Sequence, residues 1–247
     1  MPASSYPRLS LAKTLREWWV ENAARYGFWP TLKMFVSEMS YFLHDSTPAR
    51  QRQRYGDIDY DWEHRVDTTS ATVGFRDRLI GTFHSLYQAT EESSFREMMQ
   101  ALPIDFREFT FIDLGSGKGR TLLMASHYPF QRIIGVELLP ALNHIAEENI
   151  RAYRSDSQQC FAITSMCVNA RDFVFPNAPI VLYLFNPFPV STLEHVIANL
   201  EKSVRETPRS VFVIYHNPLL EVVLANCPVL TKVFAMRDCV IYAYRPG

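Results

Sequence analysis

Residues 111–120 read FIDLGSGKGR: an apolar run through Asp113 and Leu114, then Gly115, Gly117 and Gly119 at alternate positions. The chain has only nine glycines in 247 residues, so three within five positions answer a local need. Each glycine in an ordered element costs roughly 0.5–1 kcal/mol relative to alanine. A tight strand-to-helix turn explains such a cluster, and so does a ligand lying against the backbone. In an open α/β sheet the turn after the first strand borders the crevice where strand order reverses, which is where ligands bind. The spacing is G-x-G-x-G rather than the G-x-G-x-x-G of a pyrophosphate cradle. It is not a P-loop, because Lys118 is followed by Gly119 and not by Ser or Thr.

Outward from this stretch, short apolar runs alternate with helical patterns. FTFIDL precedes a helix over 119–127, RIIGVEL one over 140–152, and CFAITSM comes next. IVLYLFN precedes a helix over 190–203 and SVFVIYH one over 218–225, before VLTKVFA and CVIYAYR follow each other directly. This alternation predicts an α/β fold with a doubly wound, mostly parallel, seven-stranded sheet. The two closing strands predict an antiparallel hairpin at one edge. The α/β domain is expected over 71–247.

Residues 1–70 are expected to form an N-terminal helical extension and linker. Leu11, Leu15, Trp18 and Trp19 repeat at helical spacing, GFWP breaks the pattern at 27–30, and a second helix is expected over 31–43. These helices either pack on the main domain or form a substrate lid or membrane-surface patch. Residues 46–70 are polar and turn-rich and read as a linker, with Arg50, Arg52 and Arg54 on a solvated loop. Helical segments are expected over 75–86 and in SSFREMMQAL, the latter capped by Ser93 or Ser94 and stopped before Pro103.

The chain is 47% hydrophobic with a net charge of −1. A nucleic-acid binder usually carries a basic footprint, so no nucleic-acid partner is expected. Cys160, Cys167, Cys227 and Cys239 show no C-x-x-C spacing and suit reduced thiols in a cytoplasmic setting. No apolar run reaches the roughly 18 residues of a membrane span, and no secretory signal is visible. The histidines fall into no ligand-like spacing, so no metal is expected.

The chemistry-bearing residues gather at the ends of the expected strands. Glu137 ends the second, 18 positions beyond Gly119, where two carboxylate oxygens suit the two hydroxyls of a ribose; Leu138 follows it. Asp113 lies beneath the loop containing Ser116, where it fixes loop amides or balances a cationic group. After the third strand, Asn169 and the amide of Ala170 suit an adenine edge, with Asp172 competing for that role. Asn186, Pro187, Phe188 and Pro189 end the fourth strand. His216 ends the fifth, as a general base or as a capping or packed ring.

Taken in order, these pieces resemble the class I, Rossmann-like S-adenosylmethionine-dependent methyltransferases over roughly residues 70–245. DLGSGKGR matches their glycine loop, GVEL their acidic strand tip, VNARDF their adenine segment, and LFNPF the position of their fourth motif. VDT- and YQAT-like elements, here Asp67-Thr68-Thr69 and Tyr87 to Thr90, resemble those of a little-described bacterial subgroup. The resemblance implies that the loop amides and Asp113 hold the methionine part of S-adenosylmethionine, that Glu137 holds the ribose, and that Tyr87 closes over the cofactor or packs in the core. In amino-directed members, [Asn/Asp/Ser]-Pro-Pro-aromatic grips a planar nitrogen. Phe188 stands where that motif has its second proline, so the match is partial. The expected activity is methyl transfer to a nitrogen, with oxygen second, of a small molecule or protein side chain. A cofactor-binding protein without catalysis and an NAD-type oxidoreductase are the alternatives.

Overall fold

Apolar runs without polar alternation belong in a sheet covered on both faces. The computed structural model describes residues 10–45, 47, 58–69, 79–80 and 89–246, and its sheet accounts for every such run. The strands are β1 (Thr110–Leu114), β2 (Arg132–Glu137), β3 (Ile163–Cys167), β4 (Ile180–Phe185), β5 (Val211–His216), β6 (Thr231–Met236) and β7 (Cys239–Tyr244). They form one sheet in the order β3-β2-β1-β4-β5-β7-β6. The first five run parallel, and β7 is antiparallel to both β5 and β6. The chain works outward from β1 to β3, then restarts beside β1 with β4, so strand order reverses between β1 and β4.

Side chains alternate across the sheet with the period of two that strands impose. Ile112, Leu182, Val213 and Leu184 face one layer, which holds α7 (Val190–Glu206) and α8 (Glu221–Ala225). Phe111, Val181, Tyr183 and Ile214 face the other, which holds α4 (Glu92–Gln100) and α5 (Arg120–Ala125). On α7 the buried residues are Leu193, Val196, Ile197, Leu200 and Val204, one helical stripe laid on the sheet. Each such side chain contributes about 1.5–3 kcal/mol by leaving water. The edge strands are wetter: β6 is exposed over most of its length and carries a register irregularity between Lys232 and Phe234. Such irregularities twist an edge away from further pairing.

The N-terminal helices are α1 (Leu11–Tyr26) and α2 (Phe28–Asp45), parted by Gly27 alone. Gly27 takes a φ of 85° as it caps α1, and its N–H donates to the Ala23 carbonyl. The expected break at 27–30 is therefore shorter than GFWP suggested. Pro30 sits inside the first turn of α2, where a missing N–H costs no intrahelical bond. Trp18 and Trp19 meet Phe35 across the hairpin. Arg25 forms a two-pronged pair with Glu194 of α7 at 2.8 and 3.0 Å. The expected linker over 46–70 contains α3 (Ile58–His64), and Glu91 rather than Ser93 or Ser94 takes the position before α4. The helix expected over 75–86 lies almost wholly outside the described residues, as do Arg50, Arg52 and Arg54. Among the described residues no helix is long and apolar enough to cross a membrane, and all four cysteines are free.

Truncating Leu200, which is 1% exposed, is expected to lower stability by about 2–5 kcal/mol through the cavity left under α7. Val222→Ala on exposed α8 should stay within about 0.5 kcal/mol. Urea unfolding of both variants tests the packing.

Candidate functional site

The glycine loop joins β1 to α5 and bends through positive φ at every glycine: 91° at Gly115, 54° at Gly117 and 84° at Gly119. Side chains other than glycine's are strained in that region. Crowding adds to the demand at two of them. A Cβ on Gly115 would lie 2.6 Å from the Pro187 Cβ, and one on Gly119 would lie 3.2 Å from the Ala146 Cβ of α6 (Pro140–Ala152). The pressure behind these two glycines thus comes from the protein itself. It brings the loop after β1 against the loop after β4, at the point where strand order reverses.

Hydrogen bonds pin the loop from below. The Gly115 and Ser116 amides both donate to the Val136 carbonyl of β2, at 2.8 and 3.1 Å. Glu137 is buried at the tip of β2; its Oε2 accepts from the Gly117 amide at 2.8 Å and its Oε1 from the Leu139 amide at 2.7 Å. Burial pushes the Glu137 carboxyl up, against the pull of the Leu139, Gly117 and half-buried Leu138 amides. A carboxylate has about four lone-pair sites, so both oxygens keep acceptor capacity. Asp113, under the loop, accepts from the Thr121 hydroxyl at the start of α5 and so ties the helix to its strand. Burial pushes its carboxyl up to about 7, with Glu137 adding to the rise and the Thr121 bond opposing it. The Ser116 hydroxyl is buried with no hydrogen-bond partner among the described residues.

Asn169 caps a short 3₁₀ turn at Ala170–Asp172, its Oδ1 accepting from the Arg171 amide at 3.0 Å. Its carbonyl is thus engaged locally, and Ala170 is buried beside it. Asn186 holds a φ of 41°, and its Oδ1 accepts from the Tyr215 hydroxyl at 3.0 Å. Asn186, Pro187, Phe188 and Pro189 are all half-buried, and Phe188 packs against the core under α7. His216 stacks on Phe185 at 4.0 Å, and its Nδ1 is 2.8 Å from the Tyr183 hydroxyl, itself 2.8 Å from the Thr90 hydroxyl. Burial lowers the His216 imidazole to about 4, so the ring is neutral at neutral pH and engaged in a buried chain. The structure therefore sets the glycine loop against Pro187 and ties it to Glu137, where strand order reverses. It sets Asn169 in the next loop and packs His216 behind Phe185. Tyr87 lies outside the described residues.

A second set of residues around the loop went unread in the sequence. Lys118 is fully buried, and its Nζ donates to Asp67 Oδ1 and to the Thr69 carbonyl, both at 2.7 Å. Arg120 is 3% exposed; its Nε donates to the Thr68 hydroxyl at 2.7 Å and its Nη2 to Asp61 Oδ1 at 3.2 Å, with the guanidinium 4.6 Å over the Tyr60 ring. Asp61 also accepts from the Thr68 and Thr69 amides, at 2.7 and 2.9 Å, and from the Thr68 hydroxyl. Asn149 of α6 donates to the carbonyls of Asp67 and Lys118 and accepts from the Asp67 amide. The supposed linker is thus a strap, residues 58–69, bound to the glycine loop. The signal for it was two cations, Lys118 and Arg120, inside a glycine turn, with the acidic DIDYD and VDT segments upstream.

Native Asp113 keeps its proton until about pH 7, whereas the unfolded carboxyl releases it near 3.8. The native state therefore gains from this group in acid and loses that gain as pH rises from 3.8 to 7. The stability difference between wild type and Asp113→Asn should change in that window, in the wild type's disfavour as pH rises. Urea unfolding at a series of pH values measures it.

No family model matches the chain, and no curated protein matches its sequence. Among solved structures it is similar to the ribosomal protein L11 methylase of Lactobacillus delbrueckii subsp. bulgaricus, at 16% identity and a TM-score of 0.46 over 65% of this chain and 81% of that one. It is also similar to an RNA methyltransferase from Salinibacter ruber in complex with S-adenosyl-L-homocysteine, at 17% identity and 0.42 over 63% and 92%. A third is a predicted N6-adenine-specific DNA methylase from Listeria monocytogenes, at 16% identity and 0.47 over 64% and 52%. The expectation that nucleic acid is not a partner is withdrawn, since the similar structures include one named an RNA methyltransferase and one a predicted DNA methylase. With strand order 3-2-1-4-5-7-6, a glycine turn after β1 and an acid at the tip of β2, the chain has a Rossmann-like, mostly parallel seven-stranded α/β fold.

Proposed function

We propose that the chain binds S-adenosylmethionine in the crevice between β1 and β4 and transfers its methyl group to a nitrogen of an acceptor. The observation that carries this reading is the abutment of Gly115 on Pro187. It sets the glycine loop beside the Asn186-Pro187-Phe188-Pro189 segment where strand order reverses, which supports placing the ligand between them. The residues fit the cofactor: Glu137 retains acceptor capacity for ribose hydroxyls, Asp113 offers a carboxyl under the loop, and the buried Ser116 hydroxyl has no hydrogen-bond partner among the described residues. Leu138, Asn169 and Ala170 border the adenosyl end of this reading.

Bound there, the cofactor supplies an electrophilic methyl group on a sulfonium. The protein's share is alignment, which by proximity alone supplies about 7–11 kcal/mol in well-oriented reactions. The Tyr215 hydroxyl holds the Asn186 carboxamide in place, so its oxygen and the Pro187 carbonyl can accept from an acceptor N–H while Phe188 borders the ring. His216 is neutral and tied to Tyr183, so deprotonation by it is no part of this reading. The acceptor is a planar nitrogen whose carrier is a small molecule, a protein side chain or a nucleobase. The aromatic helices α1 and α2 border the acceptor side.

Calorimetric titration tests the reading. S-adenosylmethionine and S-adenosylhomocysteine should bind and NADH should not; the reverse would make the chain an NAD-type protein. Glu137→Ala should weaken adenosyl binding by about 1.5–3 kcal/mol, the range for hydrogen bonds to a charged group. Asn186→Ala should lower methyl transfer about tenfold or more while moving cofactor affinity far less. Binding without transfer to any pool of small molecules, proteins or nucleic acids would mark a non-catalytic binding protein.

A further inference from the structure

Lys118 and Arg120 set an electrostatic problem for the loop that carries them. Resting on the cofactor reading above, the ligand bears a sulfonium and an ammonium against one carboxylate, a net charge of +1. Two cations in the binding turn would oppose it. Neither faces the crevice. Lys118 is wholly buried against Asp67 and the Thr69 carbonyl, and Arg120 against Asp61, Thr68 and the Tyr60 ring. Among the described residues, the strap thus brings an aspartate to each of these two cations.

The anchoring of the strap is separate from this pairing. Asn149 grips the Asp67 backbone by both its N–H and its carbonyl, and holds the Lys118 carbonyl with the same amide nitrogen. Asp61 organises the strap's own amides at Thr68 and Thr69. The carboxylate of Asp67 is 45% exposed, and it accepts from the Lys118 ammonium at 2.7 Å. We infer that Asp67 and Asp61 are positioning residues for the cofactor. They draw Lys118 and Arg120 out of the crevice and cancel their charge, which lets a glycine turn containing two cations accept a sulfonium ligand.

The charge distinguishes this role from packing, because S-adenosylhomocysteine lacks the sulfonium and has no net charge. The ratio of the two affinities therefore reports the field in the crevice, while loosened packing lowers both alike. We would titrate the wild-type chain, Asp67→Asn, Lys118→Met and the double variant with each ligand at pH 6.5, and follow folding by thermal unfolding. Asp67→Asn should reduce the preference for S-adenosylmethionine over S-adenosylhomocysteine about tenfold, the scale of one uncompensated charge in a partly desolvated crevice. Lys118→Met should shift the ratio the opposite way, and the double variant should return it to within about twofold of wild type. Equal weakening of both ligands by Asp67→Asn, or a double variant that keeps the single variant's ratio, overturns the inference and leaves the cofactor reading standing. If Asp67→Asn does not fold, an unchanged ratio in Lys118→Met overturns it. A wild type that binds neither ligand overturns the cofactor reading itself.

Discussion

A parallel sheet buried on both faces has only its ends and edges left for polar business, and that constraint shapes this protein. The faces of β1, β4 and β5 are sealed by α4 and α5 on one side and by α7 and α8 on the other. Where β1 and β4 part toward oppositely placed helices, their loops cannot both follow the sheet, and a crevice opens. The carboxyl ends of the strands deliver Asp113, Glu137 and Asn186 to it without any one element having to be distorted for the purpose. Backbone at Gly115, Gly117, Gly119 and Asn186 takes up distortion there, as does Asn217 after β5, all at positive φ.

Those strained positions persist because their neighbours over-determine them. Val136 accepts two loop amides, Glu137 a third, and Pro187 occupies the space beside Gly115. The loop is therefore built before any ligand arrives, which reduces the ordering cost of binding. Burial also raises the Asp113 and Glu137 carboxyls, so the crevice holds acids that a nearby positive charge would help to ionise. A cationic ligand and a buried carboxyl favour each other for the same reason.

Much of this was legible in the sequence. Strand–helix alternation and the helix-free closing pair marked out the seven-stranded sheet, because unbroken apolar runs and turn residues are local signals. The glycine turn and Glu137 could be read from spacing alone. The strap could not. Its pairing joins Asp61 and Asp67 to residues some fifty positions away, and nothing in a polar stretch reveals which distant cation it will meet. The helix boundary at Gly27 was misjudged for a local reason: proline breaks a helix interior but is accepted in a first turn, and sequence alone did not show on which side of the boundary Pro30 lies. From its position His216 could be read as a base or as a packed ring, and the structure packs it. Its low basicity arises from burial against Phe185 and Tyr183, a tertiary effect.

The carboxamide of Asn149 has a consequence for how this loop can change over time. All three of its described bonds to the strap and the glycine loop go to main-chain atoms. It holds residues 67 and 118 side by side whatever their side chains are. Positions 67 and 118 are therefore free to vary as a pair, exchanging an ion pair for another matched couple, while position 149 is not. A helix residue far from any chemistry becomes the fixed point, and the charged residues it positions become the adjustable ones.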